Sequence, residues 1–197
     1  EGLPDLIGDE IPFFDAVQTF NARARNIKVL FINQDGFDSE TCGKRIPTGM
    51  TQADLCQGTD VEFCLSIYEP SGSPQLEPMA YGGLCVLNRI CGCTELIETM
   101  AQGTPQNILM ADYTSVGDTH SNVEEVLRIS QSQRDQIEQT VCRELAQKIW
   151  DRLPKNDVQA QALLETGSHL AGQMHWDTII RNYLRPMLQD NLICTNK

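Results

Sequence analysis

The residues of this chain best suited to covalent chemistry are its eight cysteines: Cys42, Cys56, Cys64, Cys85, Cys91, Cys93, Cys142 and Cys194. An even count spread over most of the chain points to disulfide staples and an oxidising compartment. Cysteine is too sparse here for a scaffold held by disulfides alone, so the bridges would reinforce an apolar core. Cys64 and Cys85 are expected to pair: Pro70-Ser71-Gly72-Ser73-Pro74 reads as a turn, and a hairpin centred near Pro74 sets the two opposite each other. Cys142 falls on the apolar stripe of a long helix and Cys194 follows Leu192-Ile193, so a bridge between them would anchor the C-terminal end. Cys42, Cys56, Cys91 and Cys93 are left to pair among themselves.

Other chemistries are written more faintly. Cys91-Gly92-Cys93 is a short-spaced dithiol that could exchange with a disulfide if one thiolate were stabilised. Arg89 is its only close base, and the plainer expectation is two cysteines on one strand face, each bridging elsewhere. The cysteine spacings lack the paired knuckles of a structural zinc site. Asn33, Asp35, Asp38 and Glu40 form an oxygen-rich loop that could gather calcium, the one cofactor the sequence raises, though a solvated turn fits the spacing better. Asp112, Asp118 and His120 could place a carboxylate behind an imidazole for base catalysis, as in a secreted hydrolase, but no nucleophile motif accompanies them. His169 and His175 are too far apart to share a helix face as metal ligands.

These residues must be carried by strands and helices whose pattern is partly visible. Residues 1–12, with Pro4, Gly8 and Pro12, read as an N-terminal arm, and 13–197 as a single α+β domain. Within it 13–115 is strand-rich and 116–197 helical. Phe13 to Asn26 is helical, Lys28 to Asn33 a buried strand, and 38–60 a disulfide-pinned loop. Val61–Tyr68 and Met79–Ile90 form the hairpin, residues 94–101 a helix, and Asn107–Tyr113 a last strand. Ser121 and Ser132 are candidate N-caps, the second for a helix running to Leu153 with Cys142, Leu145, Ile149 and Leu153 on one face. A helix over 157–171 is loosened by Gly167. A last stripe, Trp176, Ile179, Ile180, Tyr183, Leu184 and Met187, is expected to pack into the core and to be limited by Pro186. The fold class is therefore α+β: a small mixed sheet with a disulfide-braced loop and hairpin, packed with a C-terminal helical block.

Composition narrows the function classes. The formal charge is −12, and residues 1–98 hold 15 acids against 6 bases. Such a surface repels phosphate backbones and anionic membranes, so nucleic acid is not an expected partner. No apolar run approaches the roughly 18 residues of a membrane span. The chain opens at Glu1 with no charged-then-apolar leader, so any signal peptide is expected to have been removed or never to have been part of this sequence. The expectation is a non-catalytic secreted, extracellular or periplasmic protein, a structural subunit that binds other proteins or forms a homo-oligomer.

Overall fold

The computed structural model describes residues 8, 10–32, 42, 46–65, 69, 73–101, 103–113 and 123–194. The chain divides into two compact units, Glu1–Gln52 and Ala53–Lys197.

The first unit is built on α1 (Glu10–Arg23). It starts at Glu10, so Glu10 to Pro12 of the expected arm are helical; Pro12 is tolerated because first-turn amides have no intrahelical acceptor. Lys28 closes the other end, its Nζ donating to the carbonyls of Asn21 and Ala24 at 2.7 and 3.2 Å. The strand expected from Lys28 onward does not form. Residues 27–32 have no ladder partner among the described residues, and the Asn21 amide takes that role, donating to Val29 O at 2.7 Å and accepting from Val29 N at 2.8 Å. Phe31 meets Phe13 edge to face at 5.1 Å.

Among the described residues the second unit holds three strands, β1 (Val61–Cys64), β2 (Leu84–Asn88) and β3 (Ile108–Ala111), in the order β1-β2-β3. Both pairs are parallel, with Val61 opposite Leu84, Cys64 opposite Leu87, and Cys85 opposite Ile108. This overturns the mixed sheet and its hairpin. A 3₁₀ helix, Ser73–Tyr81, begins within the Pro-Ser-Gly-Ser-Pro stretch, and in it Leu76 and Met79 are buried at a three-residue interval. That helix carries the chain back across the sheet, and a parallel pair needs such a crossover.

Every residue of β2 is buried, as a central strand covered on both faces should be. Period-two alternation divides the core. Cys64, Cys85, Leu87 and Ile108 face one cluster, completed by Leu76, Met79, Ile97 and Leu170. Leu84, Val86, Leu109 and Ala111 face the other, with Leu145 and Leu163. The first layer comes from the 3₁₀ helix, α3 (Gly92–Ala101) and α6 (Asp157–Gln173); the second from α5 (Gln131–Arg152) and the N-terminal half of α6. Short helices α2 (Gln52–Gln57), inside the stretch expected as loop, and α4 (Val123–Leu127) complete the list before α7 (Trp176–Ile179) and α8 (Arg185–Cys194).

Helix α5 is capped two residues earlier than expected. Ser130 accepts from Gln133 N at 3.3 Å, and the Gln133 side chain accepts from Ser130 N at 3.0 Å, a reciprocal capping box. Its apolar stripe is Val141, Leu145, Ile149 and Leu153; Cys142 lies one position off it and is exposed. At the helix end Arg152 donates to the carbonyls of Gln106 (3.2 Å) and Ile108, tying α5 to the start of β3. Pro186 does not stop the last helix. A π turn, Ile180–Leu184, links α7 to α8 ahead of it, and wider i→i+5 bonding accommodates a residue that lacks an amide hydrogen.

Helix α6 crosses the 3₁₀ helix at very close range. Gly167 is buried, and a Cβ there would lie 2.0 Å from Met79 O. Gly82, at φ +89°, abuts the α6 backbone at Leu164, where any Cβ would be 3.3 Å away. The fully buried Asn107 stitches the crossing, its Nδ2 donating to Gly83 O and Leu163 O, each at 3.1 Å. Gly167 thus fixes the helix in place; it does not loosen it.

Candidate functional site

Parallel α/β sheets concentrate ligand chemistry at the carboxyl ends of their strands, where loops and helix N-termini converge. Here that edge is made by Asn88, the last residue of β2, by Arg89 and Cys91-Gly92-Cys93 beyond it, and by Asp112 after β3. The turn is built by hydrogen bonds. Asn88 O accepts from Cys91 N at 2.9 Å and from Thr94 Oγ1 at 3.3 Å, while Asn88 Oδ1 accepts from Ile90 N at 3.3 Å. Gly92 N donates to Glu69 O at 2.9 Å, and Thr94 N to Cys91 O at 3.0 Å. Helix α3 therefore starts at Gly92, inside the cysteine motif, and the two cysteines do not share a strand face as expected. Their sulfurs are 3.1 Å apart, and both residues are buried.

Asp112 pairs with Arg89 at 3.8 Å across the strand ends. Both side chains reach solvent, so the pair contributes at most about 1 kcal/mol. Asp118 and His120 lie outside the described residues, as do Asn33, Asp35, Asp38 and Glu40. His169 Nε2 is 2.9 Å from Gln173 Nε2, and His175 Nδ1 accepts from Asp177 N at 3.3 Å. Among the described residues no group of three or more His, Cys, Asp or Glu converges as a metal-ligand set.

The sheet face beneath this edge is lined by thiols. Cys64, Cys85, Cys91 and Cys93 belong to one buried cluster, and the described cysteines form no disulfide with one another. The parallel register sets Glu62 opposite Cys85 and Cys64 opposite Leu87, so Cys64 and Cys85 are diagonal neighbours on one face, and the hairpin geometry that paired them is absent. Burial pushes Cys85 and Cys93 up to about 12, with Glu62 adding to the rise at Cys85 and contact with Cys91 at Cys93. Burial raises Cys64 and Cys56 as well, with carboxylates behind it: Cys64 Sγ donates to Glu62 Oε1 at 3.7 Å and Cys56 Sγ to Glu77 Oε2 at 4.0 Å. While they are reduced, burial makes these four sulfurs reluctant to ionise at neutral pH, which slows them as nucleophiles. Cys194 and its expected bridge to Cys142 lie beyond the described side chains.

Glu62 is raised too, by burial first; the Cys64 contact lowers it and Glu77 raises it further. A carboxyl raised in the folded state contributes stability that is full below its unfolded value and lost as pH rises through the folded one. Glu62→Gln should therefore stabilise the fold at pH 7.5 by somewhat less than about 1 kcal/mol, since the group is only half-buried. Near pH 4 the gain should vanish. Urea melts of both proteins at the two pH values check this; an equal difference at both would remove the burial effect.

What fold and site define is a small parallel α/β unit with a thiol-lined sheet face and a dithiol at the strand ends. No protein-family model matches the chain, and no curated protein matches it significantly. Sequence reasoning missed Asn88, Thr94 and Asn107, for which no pattern signals a role; Gly167, a lone glycine in a helical run, was visible but pointed the wrong way.

Proposed function

We propose that this is a non-catalytic secreted or periplasmic protein that binds or assembles with other proteins, and that Trp176 to Leu188 is its docking face. One observation carries the reading: the stripe expected to be core is open. Trp176 is 74 % exposed and Met187 62 %, with Tyr183, Leu184 and Leu188 also exposed. No residue of α7 or of the π turn is buried. A helical segment of this length is marginal in water without packing, and contiguous exposed apolar surface marks an interaction site. No helix among the described residues is long and apolar enough to cross a membrane. An even cysteine count supports an oxidising compartment, in which Cys64–Cys85 and Cys142–Cys194 remain proposed bridges.

The test is the triple variant Tyr183→Ser, Met187→Ser, Leu188→Ser in the full chain. Light scattering of the wild type from low to high micromolar concentration should show mass above the monomer, and the variant should stay monomeric with the sheet unit still melting cooperatively. A wild type that stays monomeric, and that retains the same co-purifying proteins as the variant, would end the reading.

A further inference from the structure

We infer that Cys91 and Cys93 are a reversible dithiol–disulfide couple that reacts with small, cationic disulfides. The sulfurs are 3.1 Å apart, within about 1 Å of the disulfide bond length of about 2.05 Å, so closure asks for side-chain motion and no refolding. Both thiols belong to the buried cluster with Cys64, Cys85 and Ile97, and they differ in what else they border. Cys91 lines a shallow hollow of about 360 Å³ at the sheet edge, shared with Arg89, Thr94, Glu95 and Glu98. Cys91 is thus the thiol an outside disulfide meets, and Cys93 the one that resolves.

The exchange balances without any further oxidant. Cys91 loses its proton to solvent and attacks one sulfur of R–S–S–R; that bond breaks, and R–S⁻ leaves and is protonated. Cys93 then gives up its proton and attacks Cys91 Sγ, expelling the second R–S⁻. The protein loses two hydrogens as a disulfide forms, and R–S–S–R is reduced to two R–SH. Burial disfavours ionisation of Cys93 and makes the second step slow. The hollow carries two carboxylates against one guanidinium, so a cationic disulfide is attracted and an anionic one repelled. This couple is independent of the docking face.

The probes are cystamine, which is cationic, and oxidised glutathione, which is anionic, added to the full chain after full reduction. After acid quench, denaturation and alkylation, mass spectrometry of the peptide holding both cysteines should show alkyl labels falling from two to none with cystamine, a loss of two hydrogens, and reversal by dithiothreitol. In Cys93→Ser, Cys91 should accumulate as a mixed disulfide with half of cystamine. Cystamine should outpace glutathione at low salt and lose that lead at high salt. A pair that stays doubly labelled, Cys91 and Cys93 bridged to different cysteines, or glutathione reacting faster would each overturn the inference, and all three are read on the wild type.

Discussion

Gly167→Ala will cost the second unit at least about 3 kcal/mol, beyond the usual range for an extra methyl in a packed interior. The added carbon would fall 2.0 Å from Met79 O and 3.0 Å from Asn107 Nδ2. The nearest obstacle is the Met79 backbone, so no rotamer change relieves it; the 3₁₀ helix and α6 must separate. Separation also stretches both Asn107 hydrogen bonds and opens the cluster around Met79 and Leu170. Against a typical stability of about 5–15 kcal/mol this is a large share. Gly172→Ala is the internal control, because it lies in the same helix with nothing within 4 Å of a new Cβ. There the methyl should be neutral or stabilise by up to about 1 kcal/mol through helix propensity. Chemical denaturation of the three proteins measures both. Equal midpoints for Gly167→Ala and wild type would show that the crossing is not as tight as described.

Asn107→Asp should be comparably damaging at neutral pH. The amide gives its two hydrogens to Gly83 O and Leu163 O, and its own Oδ1 is buried without a partner. A carboxylate would direct negative charge at two acceptors and leave both carbonyls unsatisfied, at about 1–3 kcal/mol for each lost partner. Protonation restores one donor. The introduced carboxyl would therefore have a folded pKa raised above its unfolded value, and its sign is fixed: the variant recovers part of its stability as pH falls and loses it as pH rises. Denaturation midpoints relative to wild type at pH 4 and pH 7.5 decide the point. A deficit independent of pH would mean that the amide is not the pin between strand, turn and helix.

How much of this was legible depends on whether a pattern was local. The stripe of α5 was readable through Leu145, Ile149 and Leu153, because helical period survives at that length; its cap was misplaced because Ser130 and Ser132 both suit the role. β3 was readable from Asn107-Ile108-Leu109-Met110. The hairpin was not: Pro, Gly and Ser mark a turn and the start of a 3₁₀ crossover alike, and only the three-residue spacing of Leu76 and Met79 separates them. That misreading set Cys64 and Cys85 opposite each other, where the parallel register makes them diagonal. It also hid the Cys91–Cys93 contact, which exists because β2 ends at Asn88 and the helix begins inside the motif. The stripe at Trp176 was legible as amphipathic, but no sequence says whether its apolar side meets the chain's own core or something else. Asp112, expected in a catalytic set with Asp118 and His120, follows β3 directly and meets Arg89.

The buried thiols give this fold an internal clock. Cys56, Cys64, Cys85 and Cys93 react with an alkylating reagent only when their surroundings open and the sulfur ionises in water. Each sits in a different element: α2, β1, β2 and the start of α3. Their labelling rates in the reduced protein at pH 8 should therefore read opening energies position by position, without added probes. If the sheet and its crossovers open as one body, the β1 and β2 sulfurs will keep the same time. A faster rate at α2 or α3 would identify the edge from which unfolding starts.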